Sequence, residues 1–108
     1  MENLLKIKQR WEECPVRKTA KIIEGKWTTL VVRELISGKK RYSEIARALV
    51  KISPKVLTQR LRFLEERRMI TRTVYPTIPL TTEYELTELG QDFKIVLEAM
   101  ADFGQKLK

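Results

Sequence analysis

Ser53, Lys55, Thr58, Gln59 and Arg62 stand within one ten-residue stretch, with Arg60 among them, Arg47 and Lys51 just upstream and Arg72 downstream. These side chains share one chemistry. A glutamine amide can bond adenine through two atoms, a guanidinium can fork onto guanine, and threonine or lysine can reach base edges or phosphates. The chain has no histidine, which removes the commonest general base and every Ser-His-Asp or Cys-His arrangement. No glycine-rich phosphate loop of either common type is present. A non-enzymatic, polyanion-binding role is therefore expected, with no cofactor. The single cysteine, Cys14, cannot form an intramolecular disulfide and, without histidine, cannot build a four-ligand zinc site, so no metal is expected.

The distribution of charge says more than its total. The formal net charge of the 108 residues is +8. Residues 1 to 38 carry +3, residues 39 to 72 carry +8 and residues 73 to 108 carry −3. The middle third thus holds a surplus equal to that of the whole chain, as expected of a face that neutralises phosphates. A solvated basic surface is the alternative that charge alone leaves open.

These residues need elements to position them. At 108 residues, 43% apolar and 33% charged, the chain suits one helix-rich domain. Leu4, Ile7 and Trp11 are spaced for a short amphipathic helix in an N-terminal arm over residues 1–13. Pro15 marks a helix start behind Cys14, with Val16, Ala20 and Ile23 as its inner stripe and Gly25 at its end. A second helix is predicted from Trp27 to Ile36, with Leu30, Val31, Glu34 and Leu35 in a largely buried pattern. Lys39-Lys40-Arg41 leads into a third, Tyr42 to Leu49, with Ile45, Ala46 and Leu49 facing inward.

Ser53-Pro54 then reads as an N-cap followed by proline at the first helical position. The helix it opens, ending near Arg68, sets Leu57, Leu61 and Leu64 on one face. The opposite face carries Lys55, Thr58, Gln59 and Arg62, with Arg60 to the side, while Glu65 and Glu66 fall at the far end. Ile70 to Tyr75 and Thr82 to Leu86 are predicted to form a two-stranded hairpin around a loop holding Pro76 and Pro79. Thr82, Tyr84 and Leu86 would share the buried side of an edge strand. A last helix is predicted from Thr87-Glu88 to about Phe103, within a segment 87–108. Its Leu89, Phe93, Val96, Met100, Phe103 and Leu107 recur at spacings of 4, 3, 4, 3 and 4. That stripe serves either a partner helix or the chain's own domain.

The predicted fold is mostly α with a small β-hairpin: a winged helix-turn-helix, in which the helix opened by Ser53 enters the major groove of double-stranded DNA. Arg47, Lys51, Ser53, Lys55 and the helix N-terminus would meet phosphates. The stretches Cys14-Pro15, GKWTTLVVRELISGKKRYSEIARAL, ISPKVLTQRLRFLEERRMITRTVYP and EYELTELG resemble the HxlR family of winged helix-turn-helix regulators, themselves related to the MarR type. The resemblance spans about residues 14 to 104. It implies a cytoplasmic homodimer that binds a roughly palindromic operator, with N- and C-terminal dimerisation helices forming the dimer contact. The arm residues Leu4, Ile7 and Trp11 and the C-terminal stripe would then form the dimer interface. The chain departs from the family pattern at the wing tip, where Thr77 and Thr81 stand in place of charged residues. Arg72 at the base of the hairpin is left to supply the wing's charge.

Some members of the family use a cysteine at this position to sense oxidants or electrophiles. Arg17 and Lys18 one turn on, with the helix dipole, favour the thiolate, while Glu12 and Glu13 oppose it; a plain cap packed beneath the arm is the other reading. Against DNA binding stands a winged helix that only docks proteins, which the scarcity of exposed aromatics among Lys and Arg disfavours. Binding of single strands would require stacking aromatics on the surface. No apolar run approaches the roughly 18 to 20 residues of a membrane span, and the opening Met-Glu-Asn-Leu-Leu-Lys lacks the order of a secretory signal, so a cytoplasmic chain is expected.

Overall fold

Leucines spaced 4 and 3 apart line up on one helical face, and in the computed structural model, which describes residues 13–107, Leu57, Leu61 and Leu64 are all buried. The arm helix expected around Leu4, Ile7 and Trp11 lies outside the described residues, as does Glu12.

The elements follow in the order α1 (Pro15–Ile23), α2 (Thr28–Leu35), β1 (Lys40–Arg41), α3 (Tyr42–Ala48), α4 (Pro54–Glu66), β2 (Ile70–Tyr75), β3 (Thr81–Leu86), α5 (Glu88–Asp92) and α6 (Lys94–Lys106). The predicted winged helix-turn-helix is present. Its core joins Val31, Val32 and Leu35 of α2, Ile45 of α3, the α4 leucines and Ile70, Tyr84 and Leu86 of the sheet.

Four local expectations are corrected. The buried residues of α2 are Thr28, Thr29, Val31, Val32 and Leu35, and Leu30 and Glu34 are only half-buried. In α1 only Ile23 of the stripe Val16, Ala20 and Ile23 faces the core. Val16 is 76% exposed and Ala20 is exposed, while Ile22 and Ile23 pack on the core, because α1 meets the rest of the domain at its C-terminal end.

The hairpin, thirdly, belongs to a three-stranded sheet of order β1-β3-β2. Lys40 pairs with Tyr84 and Arg41 with Glu83, so β3 is central and not an edge. Two residues of β1 are too few to display a strand period. Fourthly, the C-terminal segment is two helices that break at Phe93 and extend to Lys106. At the break the Phe93 amide donates to the Gly90 carbonyl at 3.2 Å, one residue tighter than an α-helical bond. Phe93, expected in the dimer stripe, is consequently 8% exposed and lies in the domain's own core.

The end of α4 is closed by a Schellman motif. Met69 N–H donates to the Leu64 carbonyl and Arg68 N–H to the Glu65 carbonyl, both at 3.0 Å, with Arg68 at φ 61° between them.

Candidate nucleic-acid interface

The start of α4 is set by local chemistry. Ser53 Oγ accepts the Val56 N–H at 3.2 Å and Pro54 occupies the first turn, where its missing N–H costs nothing. The Ser53 hydroxyl proton is not used by this cap and is free to donate outward. Tyr42 Oη donates to the Pro54 carbonyl at 3.4 Å, joining α3 to the first turn of α4.

With the leucine face packed inward, Lys55, Gln59 and Arg62 are exposed on the other side of α4, and Thr58 and Arg60 are half-buried at its margins. Arg47 at the end of α3 and Lys51 in the turn between the helices are also exposed, as is Ser53. The residues expected to contact phosphates and bases are therefore surface groups of one helix-turn-helix unit.

Arg72 stands on β2 opposite Tyr84 of β3. Burial raises the Tyr84 phenol above its ordinary range; the Arg72 guanidinium lowers it, Glu65 and Tyr42 raise it, and Arg62 lowers it. Tyr84 thus lies within the field of a cation on α4 and a cation on the hairpin. Sequence reasoning placed Tyr84 inward but missed the electrostatic influence of Arg62 on it, because nothing local links α4 to β3. It also missed that Lys40 and Arg41 are strand residues flanking the wing; Lys39 Nζ lies 4.0 Å from Glu83 Oε2.

Beyond the ladder the tip is uncharged. Thr77 Oγ1 donates to the Pro79 carbonyl at 2.7 Å and lies 2.7 Å from Thr81 Oγ1. Ile78 is fully exposed and Leu80 is 69% exposed.

On the side formed by α1, α5 and α6, a groove of about 750 Å³ runs between Ile22, Met69, Leu89, Phe93 and Val96, with Lys18, Lys21 and Arg67 at its margin. Further along α6, Met100, Phe103 and Leu107 are exposed. Cys14 is half-buried at the N-cap of α1, and its side chain makes no capping hydrogen bond. Among the described residues no cluster of three potential metal ligands occurs, and no helix is long and apolar enough to cross a membrane.

Residues 22–108 match the model of the HxlR-like helix-turn-helix family. The chain belongs to that family. Its relatives include the uncharacterized HTH-type transcriptional regulator YdeP of Bacillus subtilis (strain 168), 43% identical over 98 residues that cover 91% of this chain and 77% of YdeP. Among solved structures, a protein of Porphyromonas gingivalis W83 described as a MarR-family transcriptional regulator is 39% identical. It superposes with a TM-score of 0.84, covering 90% of this chain and 95% of its own. The oxidized form of the redox regulator HypR superposes at 0.79 with 36% identity, covering 88% of this chain and 98% of HypR. The chain is accordingly a transcription regulator of helix-turn-helix type, for which DNA is the partner.

Two features of this HxlR-like chain now have a physical basis. Gly25 takes φ +87°, a left-handed conformation that costs a glycine little, and turns the chain so that Lys26 lies 4.7 Å over the half-buried Trp27 ring. The Thr87-Glu88-Leu89-Gly90 stretch opens α5, with Thr87 Oγ1 accepting the Gly90 N–H at 3.1 Å.

Proposed function

We propose that the chain regulates transcription as a cytoplasmic homodimer on a roughly palindromic double-stranded operator, with α4 of each copy in a major groove. The observation that carries this reading is the two-faced α4, whose Leu57, Leu61 and Leu64 are buried while Lys55, Gln59 and Arg62 are exposed. Arg62 and Gln59 read base edges; Thr58, Arg60 and Arg72 support them; Arg47, Lys51, Ser53 and Lys55 hold phosphates. Dimer formation is supported by the open stripe of Met100, Phe103 and Leu107, which continues past the partly buried Val96 and the groove beside Leu89. Two copies joined there set half-sites about one helical turn, roughly 34 Å, apart.

Selection of bound duplexes from a random pool tests the reading, and a single unpaired half-site would sink the dimeric form. Arg62→Ala is expected to cost about 1–3 kcal/mol of discrimination at one base pair. Lys51→Ala weakens all sequences alike and reduces the salt slope by about one unit. Phe103→Glu separates the dimer, read as a halved mass in solution. A chain with no salt-sensitive affinity for any duplex would instead be a protein-docking winged helix.

The name and the two solved states of HypR support a second element of the proposal, that Cys14 carries a redox response. Oxidation by hydrogen peroxide would convert the Cys14 thiolate to a sulfenic acid as the peroxide O–O bond breaks and hydroxide leaves. A Cys14 labelling rate equal to that of free cysteine, or operator release by oxidant that survives Cys14→Ser, would leave Cys14 a plain helix cap.

A further inference from the structure

The groove of about 750 Å³ beside α1, the end of α4 and the α5–α6 break has two kinds of lining. Its apolar side chains run from the buried Met69 and Phe93 through the half-buried Ile22 and Val96 to the exposed Leu89. Its volume falls within the roughly 300–1,000 Å³ of small-molecule sites. The exposed stripe of Met100, Phe103 and Leu107 lies further along α6 and lines no part of it.

The polar side chains of the lining are Lys18, Lys21, Arg67, Asp92 and Thr19, and the Thr19 hydroxyl already donates to the Pro15 carbonyl at 3.1 Å. Three cations against one carboxylate leave two positive charges uncompensated. Among the described residues, neither Lys18 nor Lys21 is held in an ion pair, and the Arg67 guanidinium lies 5.0 Å over the Phe63 ring with no carboxylate bound to it. Each lysine can lay its stem along the apolar surface and bring its ammonium to a ligand at the edge.

We propose that this groove binds a free monocarboxylate with an unbranched apolar tail, the carboxylate at Lys18, Lys21 and Arg67 and the tail along Ile22, Met69, Phe93 and Val96. A tail bearing hydroxyl or amide groups would lose its hydrogen bonds to water there, since none of the apolar side chains can replace them. Asp92 on the same lining disfavours a doubly charged head, so a single carboxylate fits. The head contacts are exposed and weaken with salt, whereas the tail contacts do not.

The test is calorimetric titration of the full chain with decanoate below its micellar concentration, beside decanol and decyltrimethylammonium, with the methionine methyl signals followed by NMR. Decanoate is expected to bind and to shift the Met69 methyl while leaving that of Met100 in place. From octanoate to dodecanoate each added methylene tightens binding by up to about four-fold. The double variant Lys18→Ala, Lys21→Ala changes two exposed positions of α1 and is expected to weaken decanoate by about three- to ten-fold while leaving decanol unaffected. Equal affinities for decanoate and decyltrimethylammonium would overturn the proposal, as would a shift at Met100 in place of Met69, which puts the ligand on the α6 stripe. Failure of decanoate to bind would overturn it too, the groove then being closed to ligands as it would be under a second copy.

Discussion

The Thr87 hydroxyl donates to the Arg68 carbonyl across 2.6 Å, so the residue that opens α5 also holds the residue that closes α4. The same oxygen accepts the Gly90 N–H, and the Thr87 amide donates to the Met69 carbonyl at 2.9 Å. Thr87→Val keeps the shape and removes both hydroxyl bonds. A loss of about 1–2 kcal/mol in urea unfolding is expected, most of it regained in Thr87→Ser. An unchanged midpoint for the valine variant would show that water replaces the hydroxyl without loss.

Arg68 occupies the left-handed position of the Schellman motif at φ 61°, where glycine is preferred. Its side chain is exposed. Relief of the Cβ penalty outweighs the added freedom of the unfolded chain, so Arg68→Gly is expected to raise stability by about 0.5–1 kcal/mol. A lower melting temperature would contradict this.

Gly90 sits in the first turn of α5 directly against the Met69 carbonyl, and a Cβ there would overlap that oxygen and press on Leu86. The obstacle is backbone on one side and a buried side chain on the other. Gly90→Ala is therefore expected to cost about 2–4 kcal/mol, far above an exposed helical Gly→Ala change such as Gly104→Ala, which meets open space. Equal stabilities of the two variants would refute the contact.

Tyr84 titrates above its ordinary value of 10.0, because burial disfavours the phenolate more than Arg72 and Arg62 favour it. The folded chain therefore keeps this proton to higher pH than the unfolded chain does. The sign follows: this group's contribution to stability is complete below about pH 10 and is lost as pH rises through the folded value. Tyr84→Phe should flatten the alkaline decline of the urea midpoint relative to wild type. Parallel declines in the two proteins would remove Tyr84 from the account.

Much of the candidate site was legible because it depends on neighbours within a turn or two. Ser53 and Pro54 announce a helix start, and the leucine spacing after them orients Lys55, Gln59 and Arg62 without reference to any other part of the chain. The heptad spacing from Leu89 to Leu107 was legible too, but it misled at Phe93. Spacing assumes an unbroken helix, and the turn there moves that ring into the domain's own core.

The amino-acid sequence alone determined the order of the first four helices and the hairpin, the two faces of α4 and the concentration of positive charge between residues 39 and 72. Each follows from helical period, capping and composition, which act over short stretches. Only the tertiary structure decided that β1 makes β3 a central strand, that Gly90 closes on Met69, and that Tyr84 feels the charges of both Arg72 and Arg62. Those relations join segments far apart in the chain, and the packing of α4 against the sheet, not any local preference, brings them together.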